Sequence, residues 1–482
     1  MRTELYIGGS WRAGSGEAFS SHDPANGDKV WEGRAAGADD VAEAMAAARL
    51  AFPTWSRRPV DERIAIVRAF GKAIERRSGE LAQTISREMG KVAWDAKGEV
   101  QAMIGKVEIS IRAQAERAGA REEKAAFGAM TLSHHAHGVL AVFGPFNFPG
   151  HLPNGHIVPA LLAGNCVLFK PSELTPAVGA IMAEAWEEAG LPAGVLNLLQ
   201  GGRETGAALL ESHGLNGVLF TGSAQTGALI HKKFAGRPDV ILALELGGNN
   251  PLIAWPPVDA HAAANLIAHS AFATSGQRCS CARRLIVPEG AAGDAIIDAL
   301  AALTPQIAVG PATQTPEPFL GPLVNAHAAD RAVKFEQGLA ALGGKVIVPV
   351  RRDGALVHPG IVDVTGLSPP DEELFGPVLQ VYRVTDFDHA LDVANATRFG
   401  LSGGLISDDP ALWARVKQEL RAGVLNWNRP TTGASSGMPF GGPGLSGSLR
   451  PSAYYAADYV AYPVATQLSE QAVAIPAPGL PQ

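Results

Sequence analysis

The stretch VLFTGSAQTGALIHKKFA, residues 218–235, sets the expectation for the fold. It begins with an apolar run, turns at Gly222, and continues as a longer segment with Ser223 and Thr226 near its start. This pattern predicts a buried strand, a tight turn and a helix. Free N–H groups and a positive dipole at a helix N-terminus favour a pyrophosphate, although a Ser or Thr there is usually only a helix cap.

Similar units lie on both sides of this one. Between residues 138 and 251, runs rich in Val, Leu and Phe alternate with helical segments: GVLAVFG, CVLFKPS, GVLNLLQG, GVLFTGS and VILALELGG. Such alternation predicts a parallel sheet with both faces covered. Residues 38–119 show helical apolar periodicity and are the expected cover. Because ligands bind beyond the carboxyl ends of such strands, the residues that follow each run are candidates for a site.

A second alternation of helices and strands runs from about residue 252 to residue 428 and predicts a second α/β domain. Residues 120–138 fit neither the first sheet nor a helix, and they predict an extended arm. The Pro-rich C-terminal end is expected to be loose.

Composition narrows the class of partner. The chain has 482 residues and a formal net charge of −7, which argues against nucleic-acid or membrane-surface partners. Its three cysteines are too few for a disulfide framework, and neither a signal peptide nor an apolar run of roughly 18 residues is present. We therefore expect a cytoplasmic protein that acts on a small molecule.

Two of the three cysteines lie in GQRCSCARR, residues 276–284. Cys279 follows Arg278 in a predicted turn, where a positive neighbour would stabilise a thiolate and a backbone N–H would face an oxyanion. A buried structural cysteine is the plainer alternative. A zinc site formed with Cys281 would need two further ligands at suitable spacing, which the sequence does not supply, so no metal is expected.

Four other polar residues come directly after predicted strands. Glu245 precedes two glycines and is a candidate general base. Asn147, in the Pro-bounded loop GPFNFP, is a candidate oxyanion donor. Lys170 and Glu173, in KPSE, are candidate ribose ligands. Taken one at a time, each is as well explained by a solvated or locally satisfied polar group.

Together these motifs resemble those of the NAD(P)-dependent aldehyde dehydrogenases over nearly the whole chain. They occur in the order of that family: GPFNFP, FKPSELTP, FTGS, ELGGNNP, GQRCS, EELFGPV and PFGG. The resemblance implies that Cys279 is the nucleophile, Glu245 the base and Asn147 an oxyanion donor. It assigns NAD as the cofactor to a site formed by Lys170, Glu173, Gly222, Ser223, Thr226, Gly227, Glu373 and Phe375.

The resemblance also implies an α/β fold with a Rossmann-type cofactor domain, an α/β catalytic domain and a small β oligomerisation arm. The boundaries that we predict are 1–119 and 139–247 for the NAD-binding domain, 248–445 for the catalytic domain, 120–138 and 446–465 for the arm, and 466–482 for a loose tail. Such an arm would form a homodimer or a homotetramer. Oxidation would pass through a cysteine thiohemiacetal and a thioester, and water rather than coenzyme A would release the acid.

Two stretches, FGPFNFPGHLPNGHIVPALLAGN and NWNRPTTGASSGMPFGG, most resemble the branch of the family that oxidises a succinylated glutamate semialdehyde in arginine breakdown. That substrate carries two carboxylates, for which Arg429, Thr431, Thr432 and Ser435 are candidate partners. Another semialdehyde, a non-catalytic relative and a cysteine hydrolase are the alternatives. The hydrolase would usually need a histidine base, and no histidine lies near Cys279 in the sequence.

Overall fold

The structure is a computed structural model that describes residues 2–481. Its helices are α1 (Ala38–Ser56), α2 (Val60–Arg76), α3 (Ser78–Met89), α4 (Ala93–Arg117), α5 (His151–Ala163), α6 (Pro176–Glu188), α7 (Arg203–Glu211), α8 (Ala224–Lys233), α9 (Ala260–Phe272), α10 (Ala291–Leu303), α11 (Ala326–Ala341), α12 (Phe387–Asn395), α13 (Pro410–Glu419) and α14 (Ala456–Tyr459). Within the described residues, no helix combines the length and the apolar character that a membrane crossing requires.

The strands are short, as is usual for covered sheets. They are β1 (Leu5–Ile7), β2 (Ser10–Arg12), β3 (Ala18–His22), β4 (Lys29–Arg34), β5 (Arg121–Ala125), β6 (Gly128–Ala136), β7 (Val139–Phe143), β8 (Cys166–Lys170), β9 (Leu196–Leu198), β10 (Gly217–Thr221), β11 (Ile241–Glu245), β12 (Asn250–Ala254), β13 (Ala282–Pro288), β14 (Lys345–Val348), β15 (Arg351–Asp353), β16 (Leu356–His358), β17 (Gly360–Asp363), β18 (Val378–Val384), β19 (Ser402–Ile406), β20 (Val424–Trp427), β21 (Pro439–Phe440), β22 (Ser452–Ala453) and β23 (Ala461–Leu468).

The first sheet contains the five strand runs predicted between residues 138 and 251. Its strand order is β11-β10-β7-β8-β9-β1-β2, with β7 to β11 parallel and the N-terminal β1 and β2 added in antiparallel pairing. Every residue of β7 and β8 is buried, as expected for a sheet covered on both faces. The sequence did not predict β1 and β2.

Helices cover this sheet through the apolar faces that the sequence predicted. On α2, Val67, Phe70 and Ile74 are fully buried, and the Phe70 ring stacks on Trp186 of α6 with centroids 3.8 Å apart. Burying a side chain of this size stabilises the fold by roughly 1.5–3 kcal/mol. The cover thus holds the carboxyl ends of the strands in fixed positions.

The second sheet has the order β14-β17-β18-β13-β12-β19-β20 and is parallel except for the pairing of β14 with β17. Helix α9 packs beside β13 and leads into the turn that carries Cys279. The alternating pattern after residue 252 therefore folds as a second α/β unit.

A separate three-stranded sheet, which we call the arm sheet, has the order β23-β6-β5. Residues 121–136 occupy two of its strands, within the segment predicted to be an arm. The second predicted segment, 446–465, is divided. Its first residue lies against the end of β11, where the Leu246 N–H donates to the Ser446 carbonyl at 3.0 Å. Its last residues, 461–465, belong to β23, which pairs with β6 in the arm sheet and continues to Leu468.

Candidate active site

A cavity of about 820 Å³ lies at the carboxyl ends of the strands of the first sheet. This volume is within the range of small-molecule sites. The predicted site residues that line the cavity are Asn147, Glu173, Gly222, Ser223, Thr226, Glu245, Cys279, Glu373, Phe375, Thr432 and Ser435. Four others do not line it: Lys170, Gly227, Arg429 and Thr431.

The turn that carries Cys279 has an unusual backbone. Thr274 and Ser275 have positive φ angles of 55° and 56°, a conformation that non-glycine residues rarely adopt. Gly276 follows with φ of 73°, and a Cβ at this position would lie 2.3 Å from the carbonyl oxygen of Gly376. Strained backbone of this kind persists where the surrounding structure holds it, and it is often found at functional sites.

Two side chains that the sequence analysis did not assign hold this turn. The Asn250 amide donates to the carbonyls of Cys279 at 2.6 Å and Cys281 at 2.8 Å. Asp95 of α4 accepts from Arg278 at 2.9 Å and also from the Thr274 hydroxyl. Asn250 lies in the motif ELGGNNP, but only its contacts in the structure show that its side chain holds this turn.

Cys279 is partly exposed in the cavity, whereas Cys281 is buried. Burial raises the pKa of the Cys279 thiol, and the carboxylates of Glu373 and Glu245 add to the shift. The expectation that Arg278 stabilises a thiolate is wrong, because its guanidinium pairs with Asp95 and lies over the ring of Phe148. These surroundings favour the neutral thiol of Cys279 over its thiolate.

Glu245 is only 5% exposed, at the end of β11. Its Oε1 accepts the Ser452 N–H at 3.1 Å, while its Oε2 is buried and has no hydrogen-bond partner within residues 2–481. Burial raises the pKa of Glu245 well above its ordinary value of 4.5. A carboxylate with a free oxygen and a raised pKa is suited to accept a proton near neutral pH.

Asn147 is buried next to the turn of the nucleophile. Its Nδ2 donates to the carbonyl of Gln277 at 3.0 Å. Because an amide nitrogen carries two hydrogens, this bond fixes the side chain and leaves the second hydrogen available to an oxyanion. Asn147, Glu245 and Cys279 thus line the same cavity, although they are far apart in the sequence.

The turn after β10 has the features of a phosphate site and of a helix cap at once. Ser223 is the N-cap of α8, and its hydroxyl accepts the Thr226 N–H at 3.2 Å. The remaining N–H groups of the first helical turn face no intrahelical partner and favour an anion. Gly227 contributes to packing, since a Cβ there would lie 2.5 Å from the Leu246 side chain.

Carboxylates lie at two further places on this side of the cavity. Glu173 is 52% exposed in its side chain, and its carboxylate is 3.7 Å from the Lys170 ammonium. Lys170 is buried and donates to the carbonyls of Pro171 at 2.9 Å and Gly201 at 2.6 Å, so it positions the loop. Burial raises the pKa of Glu373 to about 7, and one of its oxygens is buried without a partner among the described residues.

The donor set on this side fits a dinucleotide. The α8 N-terminus offers N–H groups for phosphates, and Glu173 and Glu373 offer carboxylate oxygens for ribose hydroxyls. Across residues 2–481, no group of three or more His, Cys, Asp or Glu side chains is arranged to hold a metal ion.

Of the four residues predicted to bind the substrate, only two line the cavity. Thr432 and Ser435 line the cavity. Arg429 is exposed elsewhere, and Thr431 is fully buried, with its backbone N–H donating to the Ser270 hydroxyl at 3.2 Å. The assignment of Arg429 and Thr431 as substrate partners is therefore corrected: the exposed Arg429 and the buried Thr431 do not line the cavity.

The sequence analysis missed one wall of the cavity altogether. Trp94, Gly98, Ala102 and Lys106 line it at intervals of four residues along α4. His156 of α5, which packs beside α4, also lines the cavity, and its ring nitrogens contact the hydroxyls of Tyr459 and Thr221. A helical interval of four was visible in the sequence, but it is also the pattern of an ordinary buried face.

Among known protein families, the aldehyde dehydrogenase family matches residues 11–462 of this chain. N-succinylglutamate 5-semialdehyde dehydrogenase 2 of Caulobacter vibrioides is 57% identical over 97% of this chain and 96% of its own. N-succinylglutamate 5-semialdehyde dehydrogenase of Paraburkholderia xenovorans is 53% identical over 97% of each chain.

Solved structures agree in fold. A 1-pyrroline-5-carboxylate dehydrogenase from Thermus with bound NAD superposes with a TM-score of 0.90 at 32% identity, covering 96% of this chain and 92% of the other. PnpE from Pseudomonas sp. WBC-3 superposes with a TM-score of 0.92 at 30% identity, covering 99% of both chains.

Proposed function

Since this chain belongs to the aldehyde dehydrogenase family, we propose that it oxidises N-succinyl-L-glutamate 5-semialdehyde to N-succinyl-L-glutamate with NAD as the hydride acceptor. The observation that carries the chemistry is that Cys279, Glu245 and Asn147 line the same cavity. The substrate is supported by the names of relatives that are 57% and 53% identical over nearly their whole length.

Acylation begins once the Cys279 thiol, which is partly exposed, has lost its proton to solvent. The thiolate adds to the aldehyde carbon, a C–S bond forms, and the carbonyl oxygen becomes an oxyanion. The free hydrogen of the Asn147 amide and the Cys279 N–H are the donors for that oxyanion. One such donor is typically worth about 10²- to 10³-fold in rate. NAD, when bound, supplies the acceptor for the hydride that leaves this carbon, and a thioester on Cys279 remains.

Hydrolysis of the thioester needs a base, which the structure offers in Glu245. Its Oε2 is the buried oxygen that lacks a hydrogen-bond partner among the described residues, and it lines the same cavity as Cys279. We assign to it the proton of the attacking water. The hydroxyl adds to the thioester carbon, the C–S bond breaks, and the carboxylic acid leaves.

The residues that would hold NAD follow from the hydrogen-bonding groups at the turns after β8 and β10 and from Glu373 and Phe375. The N-terminus of α8, with Ser223 and Thr226, would take the pyrophosphate, and Glu173 the hydroxyls of the adenosine ribose. Glu373 and Phe375 would hold the nicotinamide ribose. Lys170 would act by positioning, because its ammonium already donates to two carbonyls and pairs with Glu173.

The carboxylate of Glu173 predicts a preference for NAD over NADP, because it accepts from ribose hydroxyls and repels a 2′-phosphate. Replacing Glu173 by Gln is expected to lower the ratio of kcat/KM with NAD to kcat/KM with NADP by about tenfold. Steady-state rates at 340 nm measure this ratio. Glu122→Gln, an exposed site on β5, is the matched control. A wild-type enzyme with equal efficiency on both cofactors would exclude this role of Glu173.

The substrate assignment is tested by comparing two aldehydes in the presence of NAD. We expect kcat/KM for the succinylated semialdehyde to exceed that for propanal by about 100-fold or more, because a site built for polar groups rejects a ligand that lacks them. The growth of absorbance at 340 nm is the measurement, and omission of the aldehyde is the blank. Equal efficiency on both would remove the substrate assignment and leave the oxidation of aldehydes in place.

We further propose that the chain acts as a homodimer or homotetramer in the cytoplasm. Exposed apolar side chains on the arm sheet support association: Met130 is 40%, Tyr462 44% and Leu468 48% exposed. Such side chains, when they lie together, mark interaction surfaces. The location in the cytoplasm stays a prediction from the sequence.

A further inference from the structure

Lys106 lies on the cavity wall with its charge uncompensated. The residue is about 1% exposed, and among residues 2–481 no side chain forms a hydrogen bond or an ion pair with its ammonium. Burial lowers the pKa of Lys106 to about 8, so the side chain still carries its charge at neutral pH. A buried cation without a partner is costly, and such groups are normally paired.

Two other cations close to α4 are already paired with its acidic side chains. Lys91 pairs with Glu99 at 2.6 Å, and both side chains are fully buried. Arg278 pairs with Asp95 at 2.9 Å. These ion pairs use the acidic side chains of α4 that face the cavity and leave none for Lys106.

The groups that face Lys106 from α5 cannot supply the missing charge. Burial, with the positive charge of Lys106, lowers the pKa values of His151 and His156 to about 3, so both imidazoles are neutral. Between Trp94 and Lys106, α4 lines the cavity with two carboxylates that are already paired, those of Asp95 and Glu99, and with two small residues, Gly98 and Ala102. The small side chains of Gly98 and Ala102 leave space for a ligand to reach the ammonium.

Lys106 also lies on other elements than the residues that are candidates for binding the cofactor. It stands with α4 and α5, whereas the dinucleotide donors come from the turns after β8 and β10. Arg331, a cation of the cofactor side, is exposed and therefore screened by solvent. The group that compensates Lys106 must therefore arrive with the aldehyde.

We propose that the Lys106 ammonium forms an ion pair with a carboxylate of the aldehyde substrate, and that this pair makes the enzyme selective for aldehydes that carry a remote carboxylate. The identity of the ligand rests on the proposed function, but the unpaired buried ammonium does not. Hydroxyls of Thr432 and Ser435, on the same cavity, would complete the carboxylate site. In this proposal Lys106 determines substrate specificity and does not contact the aldehyde carbon at which bonds form and break.

The test compares the ratio of kcat/KM for the succinylated semialdehyde to that for hexanal, a neutral aldehyde. Lys106→Met is expected to lower this ratio on the order of 100-fold, mostly through KM for the charged substrate. Lys106→Arg is expected to restore most of it. Lys97→Met, at an exposed position of the same helix, is the matched control and is expected to keep the wild-type ratio.

A binding measurement gives a readout besides activity. Calorimetric titration with the product, N-succinylglutamate, is expected to show affinity weakened by a similar factor in Lys106→Met and unchanged in Lys97→Met. Thermal unfolding of each variant verifies the fold, and Lys106→Met should not unfold earlier, because it removes a desolvated charge. A folded Lys106→Met enzyme that keeps the wild-type ratio and product affinity would overturn the proposal.

If the proposed function is wrong, the wild-type enzyme will not favour the succinylated semialdehyde over hexanal, and this result distinguishes that failure from failure of the ion pair. The same variants are then compared on succinic semialdehyde and butanal, which differ in one carboxylate. A loss of that preference in Lys106→Met supports the ion pair with another substrate, and an unchanged preference overturns it.

Discussion

Replacement of Cys279 by alanine is expected to reduce aldehyde oxidation by roughly 10⁴-fold or more, as the removal of a nucleophile does in other covalent enzymes. No C–S bond can form, so neither the thiohemiacetal nor the thioester exists. The cofactor candidates come from other turns, and the affinity for NAD should therefore stay within a few-fold of the wild type. Initial rates at 340 nm and calorimetric titration with NAD measure the two quantities.

Cys281→Ala is the matched control, two residues away on the same turn. Cys281 is fully buried, and its sulfur makes only a weak contact of 3.6 Å with the Ala273 carbonyl. We expect a loss of about 1 kcal/mol in the free energy of unfolding and an activity within a few-fold of the wild type. An inactive Cys281→Ala enzyme beside an active Cys279→Ala enzyme would reverse the assignment.

The sequence could predict where two of the candidate catalytic side chains lie because a parallel sheet brings the carboxyl ends of its strands together. Asn147 follows β7 and Glu245 ends β11, whereas Cys279 lies in the turn before β13. The predicted α/β fold and the aldehyde dehydrogenase family are confirmed. The functional assignments of the individual residues stay predictions that the variants above test.

What the sequence could not predict depends on contacts between distant residues. Arg278 is next to Cys279 in the chain, yet its guanidinium is bound by Asp95, which lies 183 residues earlier. The partners of Asn250 are likewise fixed only when the turn before β13 has folded. Neighbours in a turn point in different directions, so adjacency in the chain is a poor guide to the electrostatic surroundings of a thiol.

Strand pairing gives a second example. The strands β1 and β2 are only three residues long, and β1 extends the first sheet through the pairing of Tyr6 with Leu198. Three residues carry too little alternation to be recognised. Lys106 escaped notice for a related reason, since a lysine every few turns of a helix usually faces water. Only its burial distinguishes it.

Replacement of Glu245 by Gln is expected to give a burst of one NADH per active site, followed by turnover about 10²- to 10³-fold slower than in the wild type. Addition of the thiolate and departure of the hydride need no water, whereas hydrolysis of the thioester does. The amide keeps the shape of the side chain and removes its ability to take a proton. Stopped-flow absorbance at 340 nm measures the burst, and mass spectrometry after acid quench should find the acyl group on Cys279.

A second buried carboxylate of the cavity serves as the control. Burial raises the pKa of Glu373 as it does that of Glu245, but we place Glu373 at the nicotinamide ribose. Glu373→Gln is therefore expected to raise KM for NAD without accumulation of the acyl-enzyme. If Glu245→Gln instead shows a slowed hydride transfer and no burst, Glu245 acts before the thioester forms.

The pH dependence of thioester hydrolysis follows from the raised pKa of Glu245. Only the ionised carboxylate can take the proton of the attacking water, so the hydrolysis rate should rise with pH through this pKa, which lies well above 4.5. Quenched-flow measurement of acyl-enzyme decay should show this rise in the wild type and in Glu373→Gln, and its loss in Glu245→Gln. An identical rise in Glu245→Gln would mean that another group takes the proton.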